Sequence, residues 1–243
     1  AFGKAHALCQ QEHQIDEHDE QPGQEIEKQP HGRAQHFRQA GAAALVVEDE
    51  ERGQPFADRV PVYLVPGARH AAALLAERVL GDPSAHLSVV GVTGTNGKTT
   101  TTWLIAQIAR AAGKKAAVLG TLGVGPVERP HSLGFTTPEA EVLSGELARL
   151  RADGFDVVAM EVSSHALATA RVDGLRFRAV GFTNLTRDHL DFHGTMDAYF
   201  DAKARLFGEL RGAAGAVVPA ADDEGGYAAR LRALAPDALG WGR

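Results

Sequence analysis

The stretch Val89-Val90-Gly91-Val92-Thr93-Gly94-Thr95-Asn96-Gly97-Lys98-Thr99-Thr100 decides the fold of this 243-residue chain. Leu87 to Val90 predicts a short strand, residues 91–97 predict a glycine-rich turn, and the sequence from Thr99 onward predicts a helix. A strand, a glycine-rich turn and a helix in this order, with Gly-Lys-Thr where the helix starts, are typical of a phosphate-binding loop.

The chemistry expected of this loop follows from its residue types. Gly94 and Gly97 tolerate backbone angles that other residues avoid, which lets successive N–H groups converge on phosphate oxygens at the positive end of the helix. We expect Lys98 to reach the β- and γ-phosphates and the Thr99 hydroxyl to ligate magnesium. The general pattern has glycine where this chain has Val92, so a glycine-rich turn with an unrelated lysine is the alternative interpretation.

Length and composition describe a globular protein with one large or two modest domains. No apolar run reaches the roughly 18 residues that span a bilayer and no signal peptide is apparent, so we expect a cytoplasmic protein without membrane insertion. The net charge of -6 argues against nucleic acid as a partner, and a single cysteine, Cys9, excludes an internal disulfide. We expect a monomer.

Residues 1–37 differ from the rest of the chain. They are rich in Gln, His and Glu, and their apolar residues are too sparse to form the face of a strand or a helix. The histidines suggest a metal site but lack regular ligand spacing, which favours a disordered or non-native segment. These histidines are His6, His13, His18, His31 and His36.

Strands and helices alternate over the rest of the chain, which predicts an α/β fold. We predict a P-loop central domain over residues 84–243, with a mostly parallel sheet flanked by helices, and a partial, small α/β N-terminal domain over residues 38–83. The predicted strands are 42–47, 60–65, 87–90, 115–119, 157–162, 178–182 and 216–219, with a further strand beginning near 238. The predicted helices are 70–80, 99–112, 137–151, 196–210 and 227–234.

Two of these helices carry more specific expectations. Trp103, Leu104, Ile108 and Ala111 or Ala112 recur at three-to-four spacing, so we expect them on the apolar face of the helix after the loop. Thr137 is expected to cap the next helix, with Pro138 in its first turn.

Glu161 is the first candidate for chemistry outside the loop. It ends an otherwise apolar strand, at the edge where open α/β sheets place their ligands. A lone carboxylate there is costly unless it is paired or bound to a metal ion. Magnesium is one interpretation, and an ion pair with an arginine is the other.

Three further candidates are ambiguous from the residues alone. The segment 188–194 holds two imidazoles and two carboxylates, so His189 either ligates a divalent cation or belongs to a polar capping loop. Lys203 lies on an apolar helix face and by itself predicts a stem that reaches solvent. Arg171 is either solvated or a fork for an anionic substrate.

Five blocks in this order resemble the Mur ligases of peptidoglycan synthesis, and within them the subgroup that adds the third amino acid. The resemblance covers about residues 41–243. The blocks are Gly-Thr-Asn-Gly-Lys-Thr-Thr at 94–100, Thr-Thr-Pro-Glu at 136–139, Met-Glu-Val-Ser-Ser-His-Ala-Leu at 160–167, Asn-Leu-Thr-Arg-Asp-His-Leu-Asp-Phe-His-Gly at 184–194 and Ala-Tyr-Phe-Asp-Ala-Lys at 198–203.

The resemblance implies an amide-forming ligase that uses ATP and Mg²⁺. ATP would phosphorylate the side-chain carboxylate of D-glutamate in UDP-N-acetylmuramoyl-L-alanyl-D-glutamate, and meso-diaminopimelate or L-lysine would attack the acyl phosphate. By matching position, the resemblance assigns Lys98, Glu161, His189 and Lys203 to catalysis; Gly94, Thr95, Asn96, Gly97, Lys98, Thr99 and Thr100 to ATP; Thr99, Glu161, His189 and a carbamylated Lys203 to magnesium; and Thr136, Thr137, Ser163 and Arg171 to the nucleotide-peptide substrate.

Two departures from the family pattern limit this expectation. The first forty residues lack the uridine-contacting segment of the family, and the chain ends before its C-terminal domain, so we expect weak or absent ligase activity for this chain by itself. The alternatives are a relative of the folylpolyglutamate synthetases, against which the Ser-Ser-His block argues, and a non-catalytic ATP-binding module.

Overall fold

The structure, a computed structural model, describes residues 42–212, 214–221 and 225–242. The segment 1–37, with its predicted disorder and its candidate histidines, lies outside the described residues. The chain divides into two compact units between Ala71 and Ala72. The domain limits at 37–38 and 83–84 stay predictions.

The first unit contains a small parallel pair of strands. Strand β1 (Leu45–Val47) pairs with β2 (Val62–Leu64), and helix α1 (Glu50–Gly53) lies between them in sequence. The Asp49 side chain caps α1 by accepting a hydrogen bond from the Glu51 backbone N–H at 2.9 Å. Helix α2 (Ala68–Val79) begins in this unit and continues past the division.

The second unit is built on a seven-stranded sheet within the described residues. All neighbouring strands are parallel except β4 and β5, which form an antiparallel pair. The strand order is β5-β4-β6-β3-β7-β8-β9. The strands are β3 (Ser88–Thr93), β4 (Ala116–Gly120), β5 (Gly123–Pro126), β6 (Val157–Glu161), β7 (Ala179–Phe182), β8 (Gly215–Pro219) and β9 (Leu239–Trp241).

Helices connect the parallel strands of this sheet. They are α3 (Lys98–Ala111), α4 (Ala140–Ala152), α5 (Ser164–Ala168), α6 (Leu190–His193), α7 (Met196–Gly208) and α8 (Tyr227–Leu234). No helix in the part of the chain that the structure describes is both long and apolar enough to cross a membrane.

Both faces of the sheet are covered, so its central strands are mainly apolar, with polar residues confined to their ends. Alternate residues of β4 point to opposite faces: Ala117 and Leu119 join the larger core, and Ala116 and Val118 join the smaller one beneath α3. The same alternation occurs in β6, as expected when helices cover both faces of a parallel sheet.

The predicted elements are present, but several details were wrong. Strand β3 continues to Thr93, so residues 91–93 are strand and the turn starts at Gly94. The antiparallel strand β5 and the short helices α5 and α6 were not predicted, because each spans only four or five residues and carries little periodicity.

The apolar face predicted for α3 is not its buried face. Thr102 and Ala106 are its buried residues, whereas Leu104 and Ile108 are 57% and 68% exposed. Small residues form the contact because α3 packs against β4 and β6, whose facing side chains are mainly alanine and valine. Trp103 is only partly buried at the margin of this contact.

Candidate functional site

The candidate site lies at the carboxyl edge of the sheet, around the end of β3. Because β3 pairs with β6 on one side and with β7 on the other, the chain changes direction along the sheet at this point. Open α/β sheets bind ligands at such a switch point. The loops after β3, β4, β6 and β7 bring together most of the residues predicted from the sequence.

The glycine-rich loop adopts the backbone that its sequence predicts. Gly94 has φ +143° and Gly97 has φ +83°, and a methyl group on Gly94 would overlap Thr183 Oγ1. Lys98 curls back over the loop, where its Nζ donates to the carbonyl oxygens of Gly94 at 2.9 Å and Thr95 at 2.8 Å. Burial lowers the pKa of Lys98, and the nearby Glu161 carboxylate opposes this shift.

The loop amides are divided between two uses. The backbone N–H groups of Thr95 and Asn96 donate to the main-chain and side-chain oxygens of Asn184, at 2.9 and 3.0 Å. Thr101 N–H makes the first intrahelical bond, to Gly97 O at 2.9 Å. The amides from Gly97 to Thr100 therefore have no intrahelical acceptor and are the donors that suit an anion. Two of the amides expected to face phosphate are thus bonded to Asn184 instead.

Glu161 is a carboxylate held in the interior by neutral donors. It is 1% exposed, and its Oε1 accepts hydrogen bonds from Thr99 Oγ1 at 3.0 Å and from Thr121 N–H at 2.9 Å. Thr121 Oγ1 donates to Oε2 at 3.3 Å. A side chain at Gly120 would overlap this carboxylate, so glycine is needed there.

These contacts fit a divalent cation. Within the described residues no lysine, arginine or histidine forms an ion pair with Glu161. The structure therefore does not support the interpretation that Glu161 is paired with an arginine. A buried carboxylate next to a threonine hydroxyl offers the hard oxygen ligands that Mg²⁺ prefers. No group of three or more His, Cys, Asp or Glu side chains with metal-binding geometry occurs among the described residues. The magnesium ligands stay predictions.

Lys203 is buried beside the loop and does not reach solvent. It is 1% exposed, its Nζ donates to Gly94 O at 3.0 Å, and the same Nζ lies 4.5 Å from the centroid of the Tyr199 ring. Burial, followed by the nearby charge of Lys98, lowers the pKa of Lys203 to about 7. The two lysines therefore meet at one carbonyl oxygen, and the stem interpretation of Lys203 was wrong.

His189 lies in a cluster of rings at the start of α6. Its backbone is left-handed, with φ +50°, and its ring centroid is 4.9 Å from that of His165. The His165 ring also packs against Phe192, and His193 Nε2 is 2.9 Å from the buried Ser164 Oγ. The structure therefore brings His189 next to the loop after β6, which begins at the predicted ligand Glu161.

Three of the predicted substrate residues are connected around the main chain at Glu161: Thr137, Ser163 and Arg171. Thr137 does not cap α4; its hydroxyl donates to Glu161 O at 2.9 Å and accepts from Ser163 N–H at 3.1 Å. Helix α4 instead begins after Glu139, which makes no side-chain capping bond. Arg171 donates to Thr137 O at 3.0 Å and pairs with Glu139 at 2.7 Å, while its buried Nε has no hydrogen-bond partner.

Thr136 and Ser163 have different local roles. Thr136 Oγ1 is 3.0 Å from Thr121 Oγ1, which connects the predicted substrate loop to the carboxylate site. The Ser163 hydroxyl caps α5 by accepting from Ala166 N–H at 3.1 Å.

Sequence reasoning missed three contacts around the site. Thr121 follows β4 at the carboxyl edge of the sheet, a position that could have identified it. Asn184 holds the loop amides, and Tyr199 OH is 3.1 Å from Thr95 Oγ1. Neither contact has a local signal, because both join residues about 90 or more positions apart in the chain.

The fold and the glycine-rich loop define a P-loop α/β protein. Its sequence matches the Mur ligase middle domain over residues 92–237, which is more than half of the chain. The chain therefore belongs to the Mur ligase family.

Sequence relatives agree with this assignment. The chain is 46% identical over 180 residues to UDP-N-acetylmuramoyl-L-alanyl-D-glutamate--2,6-diaminopimelate ligase from Geobacillus thermodenitrificans, which covers 74% of this chain and 36% of the relative. The ligase of the same name from Xylella fastidiosa strain Temecula1 is 52% identical over 169 residues, covering 69% of this chain and 34% of the relative. The chain thus spans little more than a third of the length of these curated relatives.

Solved structures show the same fold. A structure of UDP-N-acetylmuramoyl-L-alanyl-D-glutamate--2,6-diaminopimelate ligase superposes with a TM-score of 0.71 at 32% identity, over 84% of this chain and 40% of that chain. MurF ligase from Thermotoga maritima in complex with ADP gives 0.53 at 19% identity, over 85% and 42% of the two chains. A folylpolyglutamate synthase from Mycobacterium tuberculosis gives 0.55 at 16% identity, over 70% and 44%.

Proposed function

We propose that this chain carries the catalytic centre of an ATP-dependent ligase that adds a diamino acid, meso-diaminopimelate or L-lysine, to UDP-N-acetylmuramoyl-L-alanyl-D-glutamate. The observation that carries the proposal is the convergence of Lys98, Lys203 and the Thr99–Glu161 pair on one phosphate-binding loop. The names of the sequence relatives support UDP-N-acetylmuramoyl-L-alanyl-D-glutamate and diaminopimelate as the two substrates. The reaction would take place in the cytoplasm.

In this proposal the loop and α3 hold the phosphates of ATP. The amides from Gly97 to Thr100 donate to phosphate oxygens, and Lys98 leaves the Gly94 and Thr95 carbonyls to bind the β- and γ-phosphates. Lys98 is suited to this exchange because negatively charged phosphate oxygens are stronger acceptors for its ammonium than the two neutral carbonyl oxygens.

Magnesium would neutralise charge on the transferring phosphoryl group. Thr99, Glu161 and His189 are the proposed ligands, together with a carbamate on Lys203. Carbamylation needs a neutral amine, and a pKa near 7 keeps much of Lys203 neutral at physiological pH. The modification would turn a buried amine into a carboxylate-like ligand.

Thr136, Thr137, Ser163 and Arg171 would bind the peptidyl end of the nucleotide substrate. The unpartnered Nε of Arg171 is a buried donor in position for an additional acceptor. Residues 38–83 would belong to the uridine-binding domain of the complete enzyme, and residues 84–243 to its central domain.

Calorimetry tests the proposal on the 243-residue chain. We would titrate ATP with magnesium, with and without UDP-N-acetylmuramoyl-L-alanyl-D-glutamate, into the wild type, Lys98→Ala and Lys114→Ala. Lys114 is an exposed lysine beyond the end of α3 and serves as the matched control. We expect binding to the wild type and to Lys114→Ala, loss of binding in Lys98→Ala, and tighter ATP binding with the muramoyl peptide.

Two results would contradict the proposal. Equal ATP affinity with and without the muramoyl peptide would indicate a nucleotide-binding module that does not couple the two substrates. Unchanged affinity in Lys98→Ala would remove the loop from nucleotide binding altogether.

A further inference from the structure

The segment that carries His189 follows β7, lies outside the sheet and is weakly packed. Helix α6 has only four residues, and its one large aromatic side chain, Phe192, is 48% exposed. His189 also holds a left-handed backbone, with φ +50°, which is uncommon for a non-glycine residue. Apolar burial alone therefore does little to fix the position of this imidazole.

Two polar contacts lie on either side of His189 in sequence. On the N-terminal side, Thr186 N–H donates to Thr95 Oγ1 at 3.0 Å, which joins the segment to the phosphate-binding loop. On the C-terminal side, His193 Nε2 is bonded to Ser164 Oγ at 2.9 Å. Ser164 lies three residues after Glu161 and is 2% exposed, so this second contact joins the segment to the carboxylate side of the site.

The His193 contact is passed directly to His189. His193 N–H donates to His189 O at 3.0 Å, because the two residues are four apart on the single turn of α6. The rings of His165 and Phe192 also pack together, with centroids 4.2 Å apart, so the same turn contacts the start of α5. A shift of the His193 ring would therefore move the backbone that sets the direction of His189.

We propose that His193 is a positioning residue: its bond to the buried Ser164 hydroxyl holds the turn of α6 that carries His189, the proposed magnesium ligand. This inference rests on the proposed function, and it adds a residue that does not itself touch substrate or metal. Ligating groups are commonly oriented by hydrogen bonds of this indirect kind.

The hydrogen bond also defines the proton positions. If Ser164 donates, its buried hydroxyl hydrogen is satisfied and His193 Nε2 is the acceptor, so the ring carries its proton on Nδ1. With the opposite polarity, the buried hydroxyl would be left as a donor without an acceptor, which is the costlier arrangement.

The first experiment tests the hydrogen bond between His193 and Ser164 in the absence of nucleotide. Nitrogen-15 NMR of the imidazoles, with His193 assigned by its disappearance in His193→Phe, reports the tautomer directly. We expect a neutral Nδ1–H ring in the wild type and a changed Nε2 signal in Ser164→Ala. An Nε2–H tautomer, or an Nε2 signal that Ser164→Ala leaves unchanged, would overturn the inference whatever the function of the chain.

The second experiment measures how much magnesium strengthens ATP binding, as the ratio of affinities with Mg²⁺ and with a chelator. We expect Ser164→Ala and His193→Phe to reduce this ratio by about tenfold while leaving the affinity in chelator unchanged. His193→Gln, whose side-chain oxygen can still accept from Ser164, should recover most of the ratio. The matched control Ser144→Ala removes a buried hydroxyl from α4, away from the site, and should behave as the wild type.

The outcomes separate the two proposals. If magnesium strengthens ATP binding equally in the wild type, in Ser164→Ala and in His193→Phe, the positioning role is wrong and the proposed function stands. If magnesium has no effect on ATP binding to a folded wild type, the proposed function fails and the inference fails with it. Thermal melting of each variant distinguishes a reduced ratio of ATP affinities that comes from a change at the site from one that comes from unfolding.

Discussion

At the scale of single residues, the site is made of groups that are far from their ordinary environments. Glu161 is a buried carboxylate among hydroxyl and amide donors, and Lys203 is a buried amine at a carbonyl shared with Lys98. Such groups are costly in a protein without ligands. Their cost is consistent with a site arranged for the phosphates and the cation that we propose.

Gly94 gives the first prediction at this scale. Its φ of +143° is strained for any other residue, and an added methyl group would overlap Thr183 Oγ1 and approach Asn184 O. We expect Gly94→Ala to lower the free energy of unfolding by about 1–3 kcal/mol and to abolish ATP binding in calorimetry.

Gly215→Ala is the control for this substitution. Gly215 has no positive φ, and a methyl group there would meet no atom within 4 Å. We expect it to keep wild-type ATP affinity. ATP binding by Gly94→Ala at wild-type affinity would contradict the close approach on which this prediction depends.

At the scale of elements, Thr137 joins β6 to the loop before α4. Thr137→Val keeps the shape of the side chain but leaves Glu161 O and Ser163 N–H without their partner. We expect a loss of about 1–3 kcal/mol in unfolding free energy, measured by urea denaturation. Thr137→Ser retains the hydroxyl and should lose clearly less, so equal losses in the two variants would show that the hydroxyl is not what matters.

Helix α4 offers a matched pair of glycines. Gly145 lies inside the helix with open space at its Cβ position, so Gly145→Ala should raise the unfolding free energy by about 0.5–1 kcal/mol. Gly154 follows the helix end with φ +77°, and Gly154→Ala should lower the unfolding free energy by a similar amount. Thermal denaturation of both variants checks the pair, and shifts of the same sign would contradict it.

Sequence periodicity predicted the long elements well but not the pairings between distant residues. The eight-residue helix α8 has the bounds predicted for it, because its apolar pattern and turn signals are local. By contrast, Thr137 was expected to cap a helix, which is the usual local role of threonine before Pro-Glu. Its hydroxyl instead bonds to β6, more than twenty residues away. The residues around Thr137 do not indicate this bond, because its partner is distant in the sequence.

At the scale of the whole molecule, the topology explains why distant blocks of sequence form one site. Parallel strands put their carboxyl ends at one edge, so the loops after β3, β6 and β7 meet there although they are separated by about 90 residues. The glycine-rich loop and the alternating strands were enough to predict this edge. They were not enough to predict which loop amides Asn184 would occupy, since that depends on side-chain packing in the finished fold.

Lys203 makes the stability of the whole molecule depend on pH. Its pKa is about 7 in the folded protein against an ordinary value of 10.5. Between these values the unfolded chain binds more protons at this residue than the folded protein does, so the contribution of Lys203 to the free energy of unfolding rises with pH. Below the folded value the ammonium is buried at its full cost.

We therefore expect Lys203→Met to stabilise the protein more at about pH 6 than at about pH 9, by a difference of about 3 kcal/mol in the free energy of unfolding. Urea denaturation at both pH values, in buffer free of carbon dioxide and divalent cations, measures this while keeping the wild-type amine unmodified. Lys114→Met, at an exposed lysine, should show no such difference. If Lys203→Met raised the free energy of unfolding equally at both pH values, the amine would not titrate between them. The carbamylation proposed for Lys203 would then lose its physical basis.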